Sequence, residues 1–141
     1  ANTGCGYNTM VDKREAVNGA WSQVQNQYQR RADLIPNLVR TVQGAANFEK
    51  ETLTQITEAR ARVGQTTVGS DVFSDPAKLR QYEQAQAQLG GALQRLLVVS
   101  ENYPQLRATE NFRDLQAQLE GTENRITVER RRFVQVVQDY N

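Results

Sequence analysis

The chain has 141 residues, with 17 lysines and arginines against 16 aspartates and glutamates and a net charge of +1; that length suits one domain, and the near-neutral balance argues against binding nucleic acid through a basic field. No run of about 20 apolar residues occurs in it, so no segment of this sequence reads as a membrane-spanning helix. It contains no histidine, which removes the usual general base, the commonest zinc ligand and the usual pH switch together.

Glutamine, arginine, glutamate, alanine and leucine are good helix formers, and only 3 prolines and 9 glycines punctuate them. Apolar residues recur at spacings of three and four, the helical period. The first stripe, Val17, Trp21, Val24 and Tyr28, predicts a helix over about residues 8–31. Asp33 then reads as an N-cap, with Pro36 in the first turn of a second helix, where backbone N–H groups lack intrahelical partners anyway. One long helix kinked at Pro36 is the alternative. The second stripe runs through Ile35, Leu38, Val42 and Ala45, then Leu53, Ile56, Ala59 and Val63. Gly44 and Glu49 interrupt it, which makes that stretch its weakest part, and Gly64 fits a helix end.

Gly69, Ser70 and Asp71 mark a loop over residues 65–74. Asp75 and Pro76 restart a helix as N-cap and N1 residue. Its stripe is Leu79, Tyr82, Leu89, Leu93, Leu96, Ser100 and Tyr103, and Pro104 ends it, because the residue before proline avoids helical angles. Gly90 and Gly91 interrupt this helix at up to about 2 kcal/mol relative to two alanines. Close approach of a neighbouring helix would account for the pair; a hinge is the other reading. Thr109 caps a last helix whose stripe, Phe112, Leu115, Leu119, Thr122, Ile126, Arg130, Phe133, Val137 and Tyr140, is the longest regular one in the chain. The predicted fold is all-α: an antiparallel up-and-down four-helix bundle with long helices over residues 8–141, preceded by a membrane-proximal segment, residues 1–7.

In that segment Asn2-Thr3-Gly4-Cys5-Gly6 fits neither a helix nor a cap. Cys5 is the single cysteine, so no intrachain disulfide exists. A small residue, a glycine and a lone cysteine resemble the tail of a bacterial lipobox, where cleavage before the cysteine precedes its attachment to diacylglycerol. Cys5 is therefore the candidate lipid-attachment residue; an incidental terminal cysteine is the alternative.

No catalytic residue, cofactor or metal ligand set is expected. A di-iron bundle needs a Glu-x-x-His motif on two helices, which a chain without histidine cannot build. An all-oxygen site from Glu49, Glu101 and Glu123 is the remaining metal arrangement, and pairing of these carboxylates with arginines is the plainer account. Ser74 with Lys78 lacks any supporting context for nucleophilic catalysis, and no phosphate-cradling glycine loop is present. Arg31, Glu58, Arg60, Glu101, Thr122, Glu123 and Arg125 form a candidate structural polar network, since Thr122 and Arg130 sit where the last stripe calls for apolar residues. Such a network would fix helix register more than it adds stability; long side chains leaning outward from the stripe edge are the other reading. Arg130-Arg131-Arg132, flanked by Glu129 and Asp139, reads as a solvated face.

Several blocks carry a family resemblance. Tyr7-Asn8, Ala20-Trp21-Ser22-Gln23-Val24, the run Gln29-Arg30-Arg31-Ala32-Asp33-Leu34-Ile35-Pro36-Asn37-Leu38-Val39, and Thr57-Glu58-Ala59-Arg60-Ala61 all resemble the LemA family. So do Ser100-Glu101-Asn102-Tyr103-Pro104-Gln105-Leu106 and Leu119-Glu120-Gly121-Thr122-Glu123-Asn124-Arg125-Ile126. The resemblance runs from about Gly6 to Asn141. It implies a bacterial protein with a bundle of antiparallel helices, anchored to a membrane through its N-terminus, and it implies no enzymatic activity. The family usually begins with a hydrophobic anchor segment, in place of which Thr3-Gly4-Cys5 points to a lipid. It also tends to continue past the position of Asn141, which reads as trimming of the last helix.

The functional expectation is a non-enzymatic scaffold or adaptor in the bacterial cell envelope, facing the periplasm or the cell exterior. Its partners would be the membrane and other envelope proteins, with no nucleic acid. The alternative is a sensor that binds a small ligand or metal in a polar pocket inside the bundle.

Overall fold

A computed structural model describes residues 3–66, 68–69 and 71–141, with side chains from Val11 onward. Ala1, Asn2, Thr67 and Ser70 lie outside the described residues, and Cys5 is described through its backbone alone. The helices are α1 (Thr3–Gln43), α2 (Lys50–Gln65), α3 (Pro76–Val99), a short α4 (Pro104–Arg107) preceded by a 3-10 turn (Ser100–Asn102), and α5 (Glu110–Tyr140). Four of them are long, and the fold is an all-α helical bundle in which α1 packs along α5 and α2 along α3.

The expected break near Asp33 is absent. α1 continues through Pro36 for 41 residues, about 60 Å at 1.5 Å per residue. The reason lies in the phase of the stripe. Tyr28, Arg31, Ile35, Leu38 and Val42 are all buried and follow one another at steps of three and four, so a continuous helix buries two stripes at once. Against that, Pro36 removes only one helical hydrogen bond. Asp33 is no cap: its carboxylate accepts a hydrogen bond from Gln29 Nε2 at 2.8 Å, one turn back on the exposed face. The chain reverses instead over residues 44–49, the stretch that interrupts the second stripe. There the N–H groups of Gly44 and Ala45 bond the carbonyls of Thr41 and Val42, and Asn47 adopts a left-handed φ of 63°. α1 also starts earlier than expected: Thr3 to Gly6, read as fitting no helix, are helical.

At the starts of α3 and α5 the local signals act as read, whereas Gly64, read as a helix end, lies inside α2, which runs on to Gln65. The Asp75 side chain accepts from Lys78 N, with Pro76 at the first helical position. Thr109 Oγ1 accepts from Phe112 N at the start of α5.

The core has two parts. One gathers Ile35, Leu38 and Val42 of α1, Ile56 and Ala59 of α2, Leu89, Leu93 and Leu96 of α3, and Phe112, Leu115 and Leu119 of α5. The other gathers Val17, Trp21, Val24 and Tyr28 of α1, Tyr82 of α3 and Ile126 of α5. α2, with 16 residues against 24 in α3, covers only the first part. The α2–α3 connection covers the second, through Val72.

That connection is clipped to α1 by polar contacts. Asp71 pairs with Arg14, accepts from Phe73 N at 3.0 Å, and lies 3.5 Å from Asn18 Nδ2. Asn18 Oδ1 accepts from Val72 N at 3.0 Å. Phe73 lies under the Arg14 guanidinium, 5.0 Å away, and against Tyr140. The bond from Arg14 and the Phe73 N–H hold the Asp71 carboxyl below the usual carboxylate range. A carboxyl whose folded-state value is depressed contributes stability that is complete above its unfolded value, about pH 4, and is lost as pH falls through the folded one. Asp71→Asn should therefore flatten the acid limb of the stability–pH profile and speed amide hydrogen exchange at Val72 and Phe73. An unchanged acid limb would show that the clip carries no such linkage.

Candidate functional site

Between the two parts of the core lies a polar level. Each helix that forms it places a polar residue in phase with its buried stripe. On α1, Arg31 stands between Tyr28 and Ile35; on α3, Gln86 between Tyr82 and Leu89; on α5, Thr122 between Leu119 and Ile126, with Glu123 beside it. Arg31 is 3 % exposed. Its Nη1 donates to Glu123 Oε1 at 2.8 Å, and its Nη2 donates to the Gln86 carbonyl at 2.7 Å and to Gln86 Oε1 at 3.0 Å. The guanidinium carbon sits 5.2 Å from the centre of the Tyr28 ring, within cation–π reach. Arg31 Nε is buried without a partner.

Gly90 makes the room for this side chain. A Cβ at that position would fall 2.9 Å from Arg31 Nη1, whereas one at Gly91 would meet nothing within 4 Å. The glycine pair thus contains one residue required by the close approach of an α1 side chain to α3, and one that is not. Thr122 is satisfied within its own helix, donating to the Gln118 carbonyl at 2.8 Å.

One turn away a second set of polar contacts links the same helices. Arg130 Nη1 donates to the Tyr28 hydroxyl at 2.6 Å, and its Nη2 lies 4.0 Å from Glu83 Oε1. Burial works against the Arg130 charge, but the Tyr28 bond and Glu83 outweigh it, and its pKa is raised. Burial pushes the Tyr82 hydroxyl above its ordinary value, with the Gln86 side chain acting the other way.

The seven residues read as a network therefore divide. Arg31, Thr122 and Glu123 share the buried level. Glu58, Arg60, Glu101 and Arg125 are exposed, and among the described residues they make no ion pair. Arg60 follows buried Ala59 and Arg125 precedes buried Ile126, so each turns outward, while Glu101 falls in the 3-10 turn. Glu58 faces a shallow groove between α2 and α3 with Arg62 and Arg95. The sequence reading missed Gln86; the close approach it expected at Gly90 and Gly91 is found at Gly90 alone. The available signal was the gap of seven in the α3 stripe between Tyr82 and Leu89, which Gln86 fills in phase.

Chemically the polar level joins three helices through one cation. Its acceptors are all the protein's own, which suits it to fixing how α1, α3 and α5 align. Among the described residues no group of three or more aspartate, glutamate, cysteine or histidine side chains gathers where it could hold a metal. A larger space lies at the end of the bundle where α1 gives way to α2. It is an open cavity of about 820 Å³ between the α1–α2 turn and the segment joining α3 to α5.

Compared with known families, the chain matches the model of the LemA family over residues 20–141, a span that contains both the polar level and the end cavity. No curated protein sequence matches it.

Two sets of substitutions test the polar level. Glu123→Ala leaves a buried guanidinium without the carboxylate that faces it and should destabilise by about 2–4 kcal/mol. Arg31→Met removes the buried charge itself and leaves Glu123, 30 % exposed, free to hydrate; it should cost only about 1–2 kcal/mol. Urea unfolding followed by circular dichroism gives both values, and the reverse ranking would contradict the geometry. Gly90→Ala should destabilise by about 1–3 kcal/mol by displacing the guanidinium. Gly91→Ala, one residue on, should stabilise by about 0.5–1 kcal/mol through helix propensity. Equal effects of the two would contradict the close approach.

Proposed function

Since the chain belongs to the LemA family, we propose that it is a non-enzymatic protein of the bacterial cell envelope, held at a membrane through lipid on Cys5. There it acts as a scaffold or adaptor for other membrane proteins, or in organising the membrane. The observation that carries this reading is the filled interior. The charged group at the middle of the bundle is bonded to the protein's own carboxylate, carbonyl and amide, so what the molecule offers to others is its surface and its length.

The N-terminal part of α1 supports the same reading. From Val11 to Ala16 every side chain is exposed, and Arg14 reaches the α2–α3 connection. Among the described residues no helix is long and apolar enough to cross a membrane. The lipid in this reading rests on Thr3-Gly4-Cys5, a small residue and a glycine before a single cysteine. Each buried CH₂ of an acyl chain contributes about 0.8 kcal/mol; one chain binds marginally, and two or more hold stably. The sensor alternative needs space at the polar level. Arg31 occupies it closely enough that even a methyl group at Gly90 would collide with the guanidinium.

The test uses the full-length protein in its bacterial host. Mass spectrometry should find a diacylglyceryl thioether on Cys5, and Cys5→Ser should move the protein from the membrane fraction to the soluble one. An unmodified Cys5, or a serine variant that stays membrane-bound, would remove the lipid anchor. Crosslinking in the same cells should recover envelope proteins with the wild type, and recovery of the chain alone would count against the adaptor role.

A further inference from the structure

We propose that the cavity at the turn end of the bundle is a binding groove for a short, extended, uncharged peptide segment of a partner protein. This deepens the adaptor reading, in that it names the kind of partner and where it is held.

The size is that of a ligand site: about 820 Å³, within the range of roughly 300–1,000 Å³ that such sites occupy. One wall is the α1–α2 turn, with Gly44, Ala45 and Ala46; the other is the segment from Asn102 to Asn111 that joins α3 to α5. The walls are tied together. The Tyr103 hydroxyl donates to the Asn47 carbonyl at 2.8 Å, and the Tyr103 ring packs on Phe48 with centroids 4.7 Å apart. The groove is thus preformed, which lowers the ordering cost of binding.

The chemistry of the lining selects the occupant. No charged side chain lines the groove, so a charged ligand would lose hydration there without gaining a counter-charge. Three amide side chains, Asn102, Gln105 and Asn111, line it. All three are exposed, and none of them makes a side-chain hydrogen bond among the described residues. Each amide presents a donor and an acceptor together, the complement of a peptide group, whose own N–H and C=O must be paired when covered. Half-buried Ala45, with the edge of the largely buried Leu106 behind it, gives a side chain of the segment a small apolar contact. A neutral saccharide shares the hydrogen-bonding chemistry, but it gains most from an open aromatic face. The Tyr103 ring is already packed on Phe48, and its hydroxyl is bonded to the turn.

The groove also lies where an adaptor needs it. About 39 residues of continuous helix separate Cys5 from Gly44, or close to 60 Å, so the two ends of α1 would hold two different things apart.

The experiment uses residues 1–141 immobilised through the C-terminus, which lies at the end of α5 remote from the groove. The probe is a displayed library of random heptapeptides, and recovered sequences are remade with blocked termini for titration. Uncharged sequences should be enriched over a blank surface. Their binding should weaken at least tenfold in the triple variant Asn102→Ala/Gln105→Ala/Asn111→Ala and in Ala46→Trp, which fills the groove. All four positions are exposed, so both variants should keep the helicity and melting temperature of the parent. No enrichment, enrichment dominated by charged sequences, or equal binding by the two variants would overturn the proposal. So would saturable binding of the neutral disaccharide N,N′-diacetylchitobiose, lost in both variants, with no peptide recovered. None of these outcomes depends on Cys5, so failure here leaves the lipid anchor standing, and a soluble Cys5→Ser protein that still binds peptide would break the anchor alone.

Discussion

A single buried charge organises this bundle. Arg31 projects from α1 into the seam between two hydrophobic clusters and meets a carboxylate from α5 and a carbonyl and amide from α3. Removing a guanidinium from water is expensive unless its donors are met. The alignment of three helices that gives both Nη groups their acceptors is therefore favoured over alignments that slide one helix by a turn. Apolar stripes alone do not discriminate so sharply, because a shift of one turn still pairs leucine with leucine. The close approach at Gly90 belongs to the same device, since a Cβ there would fall 2.9 Å from Arg31 Nη1 and the guanidinium would have to shift.

The rest of the architecture follows from unequal helix lengths. α1 and α5 form the long pair, and α2 is too short to cover α1 beyond the polar level. The connection that follows α2 takes over, with Val72 closing the second cluster and Asp71 fastening the strap to Arg14 and Asn18. One half of the core is thus sealed by a fourth helix and the other by a clipped loop. The turn end has no such loop. There the α1–α2 turn and the α3–α5 segment stand apart, tied by Tyr103 and Phe48, and leave the amide-lined groove between them.

Fold class, the number of long helices, the caps at Asp75 and Thr109 and most of the core were legible in the sequence, because a 3–4 apolar rhythm is a direct consequence of helix geometry. The break at Asp33 was not. Local signals there, an aspartate followed three residues later by proline, resemble a helix start, and only the shared phase of residues 28–42 shows that tertiary burial overrides them. The polar level was half legible. Thr122 stood out as a polar residue in an apolar stripe, and Glu123 beside it. Gln86 could be read only from what its stripe lacked, and which of the arginines turned inward depended on its position relative to the nearest buried residue. Arg31 lies four residues before Ile35, whereas Arg60 and Arg125 sit next to Ala59 and Ile126 and point away. The groove was not legible at all, since it is made by two connections distant in sequence.

For a LemA family protein read as an envelope adaptor, this construction separates two demands. Rigidity comes from inside, where the charge sets the register, and recognition is left to the ends. The most direct measurement of the central claim is a double-mutant cycle on Arg31→Met and Glu123→Met, followed by urea unfolding. The account predicts strong coupling, about 2 kcal/mol or more, with the double variant recovering much of what the Glu123 single variant loses. Additivity within about 0.5 kcal/mol would mean that the two groups act independently and that the register is set elsewhere.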